Sequence, residues 1–185
     1  MDLRKAINNL LLENHKHEYG CAMLYFDFPD VFKIQDSINP QHLYEDPEDN
    51  PFGLESEPHC TLLFGFHEEV TTEDIKRITD KYDFDRIFIA HNISKFDTNP
   101  DYDVLKFDVG YKTKGDPVLR KVNKQLRGFP HTNNFPDYHP HLTIAYVKKG
   151  MGDKYIDKFS KNQFDLKPTY IIYSKPDGTQ DRIQI

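Results

Sequence analysis

The sequence predicts an α+β chain built twice, and three observations predict it. A short pattern, His-x-Thr followed by an apolar residue, occurs as His59-Cys60-Thr61-Leu62 and again as His141-Leu142-Thr143-Ile144. Each copy follows a proline, Pro58 or Pro140, and opens a run of strand formers, Leu62-Leu63-Phe64 or Ile144-Ala145-Tyr146-Val147. The flanking elements also recur in the same order: strand, helix, loop, His-x-Thr strand, helix, strand. The motifs are roughly 80 residues apart, a period too long for a solenoid. One His-x-Thr in a chain with nine histidines carries little weight. The repeated context is what separates this pair from chance.

Met1 to Tyr19 reads as an N-terminal element: an amphipathic helix with Leu3, Ile7, Leu10 and Leu11 at helical spacing, then a polar linker from Glu13. It is expected to pack on the domain or to touch another chain, so an oligomer is compatible with it. A single domain over 20–185 follows, with lobe one at about 20–94 and lobe two at about 103–185. Cys21 to Phe28 alternates as a strand, with Ala22, Leu24, Phe26 and Phe28 facing a core and Cys21, Met23, Tyr25 and Asp27 facing away. Pro29-Asp30 starts a helix to about Ile38, ended by Asn39-Pro40. The acidic, proline-bearing stretch Tyr44 to Pro58 is a loop into the first motif. Thr71-Thr72-Glu73-Asp74 caps a helix to about Lys81, and Arg86 to Ile93 is a strand. Polar residues Lys95 to Tyr102 mark the lobe boundary.

The second half repeats the series: a strand from Val104 to Val109, a helix from Pro117 to Leu126, a loop from Gly128 to Pro140, and the second motif. A helix from about Asp153 to Phe159 and a strand from Pro168 to Ser174 close the repeat. Asp177-Gly178 is a hairpin turn into a last strand, Gln180 to Ile185, outside the duplication.

Hydrophobic content of 37% with 14% aromatic residues fits a folded protein with a polar surface. No run approaches transmembrane length, and Leu10-Leu11-Leu12 followed by Glu13 is too short for a signal peptide. Cys21 and Cys60 both fall in strands and read as buried, reduced thiols, which places the chain in the cytoplasm. A net charge of -6 disfavours binding along a long nucleic acid while permitting a small nucleotide in a local pocket. The helix over Pro117 to Leu126 carries Arg120, Lys121 and Lys124, with Arg127 beyond it, and reads as a solvated face.

In a strand, His and Thr two residues apart share a face about 6–7 Å apart, the spacing at which an imidazole and a hydroxyl can grip one phosphate. In-line cleavage of a phosphodiester needs a base near the attacking oxygen and an acid near the leaving oxygen. His59 and His141 can divide those roles, because imidazole titrates near neutrality, and the sequence does not say which is which. The Thr61 and Thr143 hydroxyls can donate to the non-bridging oxygens, and the chemistry requires no metal or other cofactor. His139-x-His141 with Cys60 or His131 is the competing half of a zinc site, though Cys60 points away from His59. Aromatic residues able to stack on bases are Tyr25 on the first strand, and Phe135 and Tyr138 before the second motif; core packing is the alternative for each.

On these residues the chain resembles the 2H phosphoesterase superfamily, named for its two His-x-Thr histidines. The segments Cys21-Ala22-Met23-Leu24-Tyr25-Phe26-Asp27-Phe28-Pro29 and Gly53-Leu54-Glu55-Ser56-Glu57-Pro58-His59 are similar to the phage anti-CBASS phosphodiesterases. The resemblance implies antiparallel sheets with helices outside and a central cleft carrying both motifs. It also implies hydrolysis of 3′–5′ linkages in cyclic oligonucleotides in the host cytoplasm, as a means of immune evasion, with no membrane partner. An RNA-end 2′,3′-cyclic phosphodiesterase or a 2′–5′ phosphodiesterase could use the same site. A module that binds nucleotides without turnover is disfavoured by the intact His and Thr pairs.

Overall fold

The computed structural model describes residues 18–46, 52–111, 117–133, 135 and 137–185. The expected N-terminal helix and most of its linker lie outside the described residues. The strands are β1 Gly20–Asp27, β2 His59–Phe66, β3 Phe88–Phe96, β4 Tyr102–Tyr111, β5 His141–Lys148, β6 Phe164–Ser174 and β7 Gln180–Gln184. The helices are α1 Asp30–Gln35, α2 Thr72–Thr79, α3 Val118–Leu126 and α4 Gly152–Phe159. Each expected strand and helix among the described residues is present, with shifted ends.

All strand pairings are antiparallel, in the order β2-β1-β6-β3-β4-β5 with β7 on β6. The two halves exchange their closing strands. β3, which ends the first half, pairs along its length with β4, and β6, which ends the second, pairs with β1. The polar stretch after Lys95 is accordingly the turn of the β3–β4 hairpin, where the Asn99 side chain accepts from the Asp101 amide. β6 joins the two groups: Phe164, Asp165 and Leu166 pair with β3, and the rest pairs with β1 and β7.

Alternation along the strands sets the layers. Ala22, Leu24, Phe26, Cys60, Leu62, Leu142 and Ile144 are at most 5% exposed and share one core with Val31, Ile75, Val122 and Tyr155 from the helices. That face is the one the sequence assigns to the core, and burying each such side chain contributes about 1.5–3 kcal/mol. The opposite face, carrying Tyr25, His59, Thr61, His141 and Thr143, stays half-buried. Thr71 caps α2 in a reciprocal arrangement with Asp74, as its sequence predicts.

β2 and β5 end the strand order, and each has its outer edge covered by the other half. The loop entering the first motif runs along β5: Glu55 N–H donates to Ile144 O at 3.0 Å and Tyr146 N–H to Gly53 O at 2.7 Å. The loop entering the second runs along β2: Thr132 N–H donates to Gly65 O at 2.9 Å and His67 N–H to Pro130 O at 3.2 Å. Gly65 sits at φ +106°, and a Cβ there would lie 1.9 Å from the Thr132 carbonyl oxygen, so only glycine permits this approach. Two buried amides complete the pattern. Asn123 of α3 donates to Leu62 O at 2.7 Å, and Gln35 of α1 donates to Ile144 O at 2.9 Å. Each accepting carbonyl lies three residues after its motif histidine, so the duplication extends to the clamps on the motif strands.

Candidate active site

His59 and His141 are the first residues of β2 and β5, and both rings are held the same way. His59 Nδ1 lies 2.9 Å from Glu57 O, and His141 Nδ1 lies 2.7 Å from His139 O. Each Nδ1–H therefore donates to the carbonyl two residues back, across the intervening proline, and Nε2 is the nitrogen left for chemistry. The prolines are braced in turn: Phe26 N–H donates to Pro58 O at 3.2 Å and Val109 N–H to Pro140 O at 2.9 Å. Phe129-Pro130-His131 makes the same turn, with His131 Nδ1 2.8 Å from Phe129 O. Pro-His is thus a local orienting device that also occurs outside the two motif strands.

The two motif strands approach each other, so both imidazoles belong to one electrostatic environment. Burial pushes the His141 pKa below its ordinary value; Lys106 and His59 push the same way, against the His139 carbonyl and Asp108. The Cys60 thiol meets the His141 backbone and the Tyr138 hydroxyl, and burial raises its pKa to about 11. Cys21, hydrogen-bonded to the Thr61 side chain, is raised to about 12 by burial. Both thiols are therefore protonated at neutral pH; Cys60 is buried, as expected, and Cys21 is half-buried.

Tyr25 stands beside His59, with ring centroids 5.3 Å apart, and stacks on Tyr170 at 5.1 Å. Its pKa is raised by burial and by Glu57 and Glu55, so the phenol stays neutral. Tyr138 has a different setting. Its hydroxyl donates to Thr61 O at 2.9 Å, tying the second entry loop to the first motif strand. Phe135 is 68% exposed on that loop and makes no ring contact with either imidazole among the described residues. Arg120 and Arg127, expected on a solvated helix face, donate to the carbonyls of Tyr138 and Phe135 at 2.6 and 3.0 Å and hold the loop.

Around His141 the structure adds residues that sequence reasoning missed. Lys106 is paired in register with Thr143, and its ammonium lies 2.6 Å from Asp108 and 5.0 Å from the centroid of Phe96. Phe96 in turn meets the His141 ring edge-on at 4.9 Å. A lysine amid Val104-Leu105-Lys106-Phe107 is the signal that could have found it, because a cation in a buried strand needs a partner. Among the described residues no group of three His, Cys, Asp or Glu side chains is arranged to hold a metal ion. A concavity of about 770 Å³ lined by Tyr19, His67, Val70 and Lys175 holds none of the four motif residues.

No family model matches the sequence, and no curated protein matches it. Solved structures do. Kluyveromyces marxianus Usb1 superimposes over 92% of this chain and 99% of its own, with a TM-score of 0.58 at 11% identity. Usb1 with uridine monophosphate gives the same coverage, a TM-score of 0.53 and 10% identity. The fold resembles that of the 2H phosphoesterases. Escherichia coli LigT complexed with phosphate, at 15% identity, covers 91% of this chain and 95% of its own with a TM-score of 0.39. The likeness to Usb1 is one of fold, an α+β chain with an antiparallel sheet, and it spans nearly the whole chain. Among the described residues no helix is long and apolar enough to cross a membrane.

Proposed function

We propose that the protein is a metal-independent phosphodiesterase of the 2H type, acting on cyclic oligonucleotide second messengers. The observation that carries this reading is the matched pair of imidazoles, each with Nδ1 tied to the carbonyl two residues back and a threonine two residues ahead. Such a pair has an acceptor and a donor ready for one in-line displacement. His141, pushed toward its neutral form, takes the proton of the ribose 2′-hydroxyl as that oxygen attacks phosphorus. The P–O5′ bond breaks and the leaving oxygen receives a proton from His59. The product is a 2′,3′-cyclic phosphate, which water opens with the two roles exchanged. Thr61 and Thr143 donate to the non-bridging oxygens, where charge builds in the transition state.

Tyr25 borders His59 and offers an aromatic edge to a substrate base, whereas Tyr138 packs against the core with its hydroxyl on Thr61 O and the Cys60 thiol. The similarity of the β1 and Gly53–His59 segments to anti-CBASS phosphodiesterases supports a phage enzyme that destroys immune signals in the host cytoplasm. A second reading, an RNA-end 2′,3′-cyclic or 2′–5′ phosphodiesterase, draws on the fold likeness to Usb1, one of whose structures holds uridine monophosphate.

Incubation with cyclic di- and trinucleotides and with short linear RNAs, with and without EDTA, distinguishes the readings by mass spectrometry of the products. The proposal expects chelator-resistant opening of cyclic substrates through a 2′,3′-cyclic phosphate. A 2′-deoxy substrate at the scissile linkage should bind and resist cleavage, because its nucleophile is missing. Cleavage of the deoxy form at the ribose rate would refute ribose-assisted attack.

A further inference from the structure

On the His59 side of the sheet, four side chains from four neighbouring strands lie in a row: His59 on β2, Tyr25 on β1, Tyr170 on β6 and Arg182 on β7. Tyr25 and Tyr170 are register partners with rings 17° from parallel, and the Arg182 guanidinium carbon lies 3.7 Å from the Tyr170 centroid. Such a contact fixes the plane of a side chain that would otherwise sample many rotamers. Arg182 is exposed and, among the described residues, has no carboxylate partner. Its neighbour Asp181 is taken by Lys175 at 2.7 Å and by Thr72. Two carboxylates also act on the row, Glu57 on both tyrosines and Glu55 on Tyr25, and burial, ahead of these charges, raises the pKa of both phenols. A guanidinium held over Tyr170 keeps its N–H edge open to an anion.

We propose that Arg182 anchors a second, non-scissile phosphate of an oligonucleotide substrate. Three strand spacings of about 4.8 Å separate β2 from β7, so the anchor stands roughly 14 Å along the sheet from the imidazole. A mononucleotide with its phosphate at His59 cannot also place a phosphate there. A substrate with several phosphodiesters, cyclic or linear, can. A planar guanidinium with its face on an aromatic ring keeps its N–H edge free for two phosphate oxygens. The assignment rests on the phosphodiesterase reading, to which it adds a residue that holds the substrate away from the scissile bond.

The test compares wild type, Arg182→Ala and Arg182→Lys on a cyclic trinucleotide, a linear trinucleotide and a 2′,3′-cyclic nucleoside monophosphate. For the trinucleotides, Arg182→Ala should raise KM about tenfold at unchanged kcat, with partial recovery in Arg182→Lys. The salt dependence of log KM should fall by about 0.7 for the one lost contact. The monophosphate, too short to reach the anchor, should lose far less. Equal losses on all three substrates, or no change on the trinucleotides, would overturn the anchor. Equilibrium binding of a fluorescent trinucleotide to the same proteins separates this failure from that of the enzyme reading. If wild type turns over none of the substrates, the phosphodiesterase reading fails, while an Arg182-dependent Kd still upholds the anchor and an unchanged Kd rejects it.

Discussion

Asn123→Leu removes the buried amide that clamps the first motif strand while nearly keeping side-chain volume. The buried Leu62 carbonyl then loses its 2.7 Å donor. An unsatisfied buried acceptor costs about 1–3 kcal/mol, so Tm should drop by roughly 3–10 °C for a domain of this size. Loss of the Asn123 acceptor for Arg127 at 3.1 Å adds little, because that guanidinium also holds Phe135 O. The effect on chemistry follows from position. Leu62 is three residues beyond His59 on a strand whose outer edge is held by a few contacts, and a shift of about 1 Å in a reacting group can cost on the order of 10² in rate. Urea denaturation followed by circular dichroism gives the stability change, and kcat at a temperature where the variant is fully folded gives the other. A stability loss with kcat unchanged would show that the amide holds the core and positions nothing, refuting the link from clamp to imidazole.

A histidine whose folded pKa is lowered binds fewer protons than the unfolded chain between that pKa and about 6.5. The contribution of His141 to stability is therefore present above that window and lost as pH falls through the folded pKa. Lys106→Met should move the His141 titration upward, since a cation is removed and Asp108 is left to attract the proton, with His59 and the His139 carbonyl unchanged. An NMR pH titration of the imidazole that shows no shift, or a downward one, counts against that electrostatic account. Gly65→Ala should destabilise by at least about 2–4 kcal/mol in urea unfolding, because it combines positive φ with a backbone clash at Thr132. Gly150→Ala, with φ +82° and nothing within 4 Å, should cost only about 1–2 kcal/mol; equal losses would mean that the Thr132 approach is not what requires glycine.

The faces of the strands were legible because alternation is local: Ala22, Leu24 and Phe26 against Met23 and Tyr25, and Cys60 and Leu142 against the motif residues. The duplication was legible for a similar reason, since Pro-His-x-Thr repeats within a few residues. Partners were not legible. Nothing in Phe88 to Phe96 says that it pairs with β4 and β6, because pairing is decided by the whole core. β6 begins before Pro168, a residue that reads as a strand start, because the proline falls at a bulge opposite Phe26 where its missing N–H breaks no regular ladder. β3 continues past Ile93 because Asn92 takes φ +52° at its own bulge, a conformation asparagine tolerates. Tyr170 and Arg182 act through cross-strand neighbours, and Asn123 and Gln35 through carbonyls more than 60 residues away, so sequence spacing carries no trace of them.

The central claim is that His59 and His141 work as one acid–base pair, and turnover of a ribonucleotide substrate by the two single alanine variants and their double tests it. If each imidazole serves the same displacement, either loss should lower kcat by about 10²–10⁴. The double variant should then fall no further than about tenfold below the weaker single, because groups acting as a unit are not additive. A double variant whose loss equals the product of the two single losses, or a single variant that keeps wild-type turnover, would contradict the pairing.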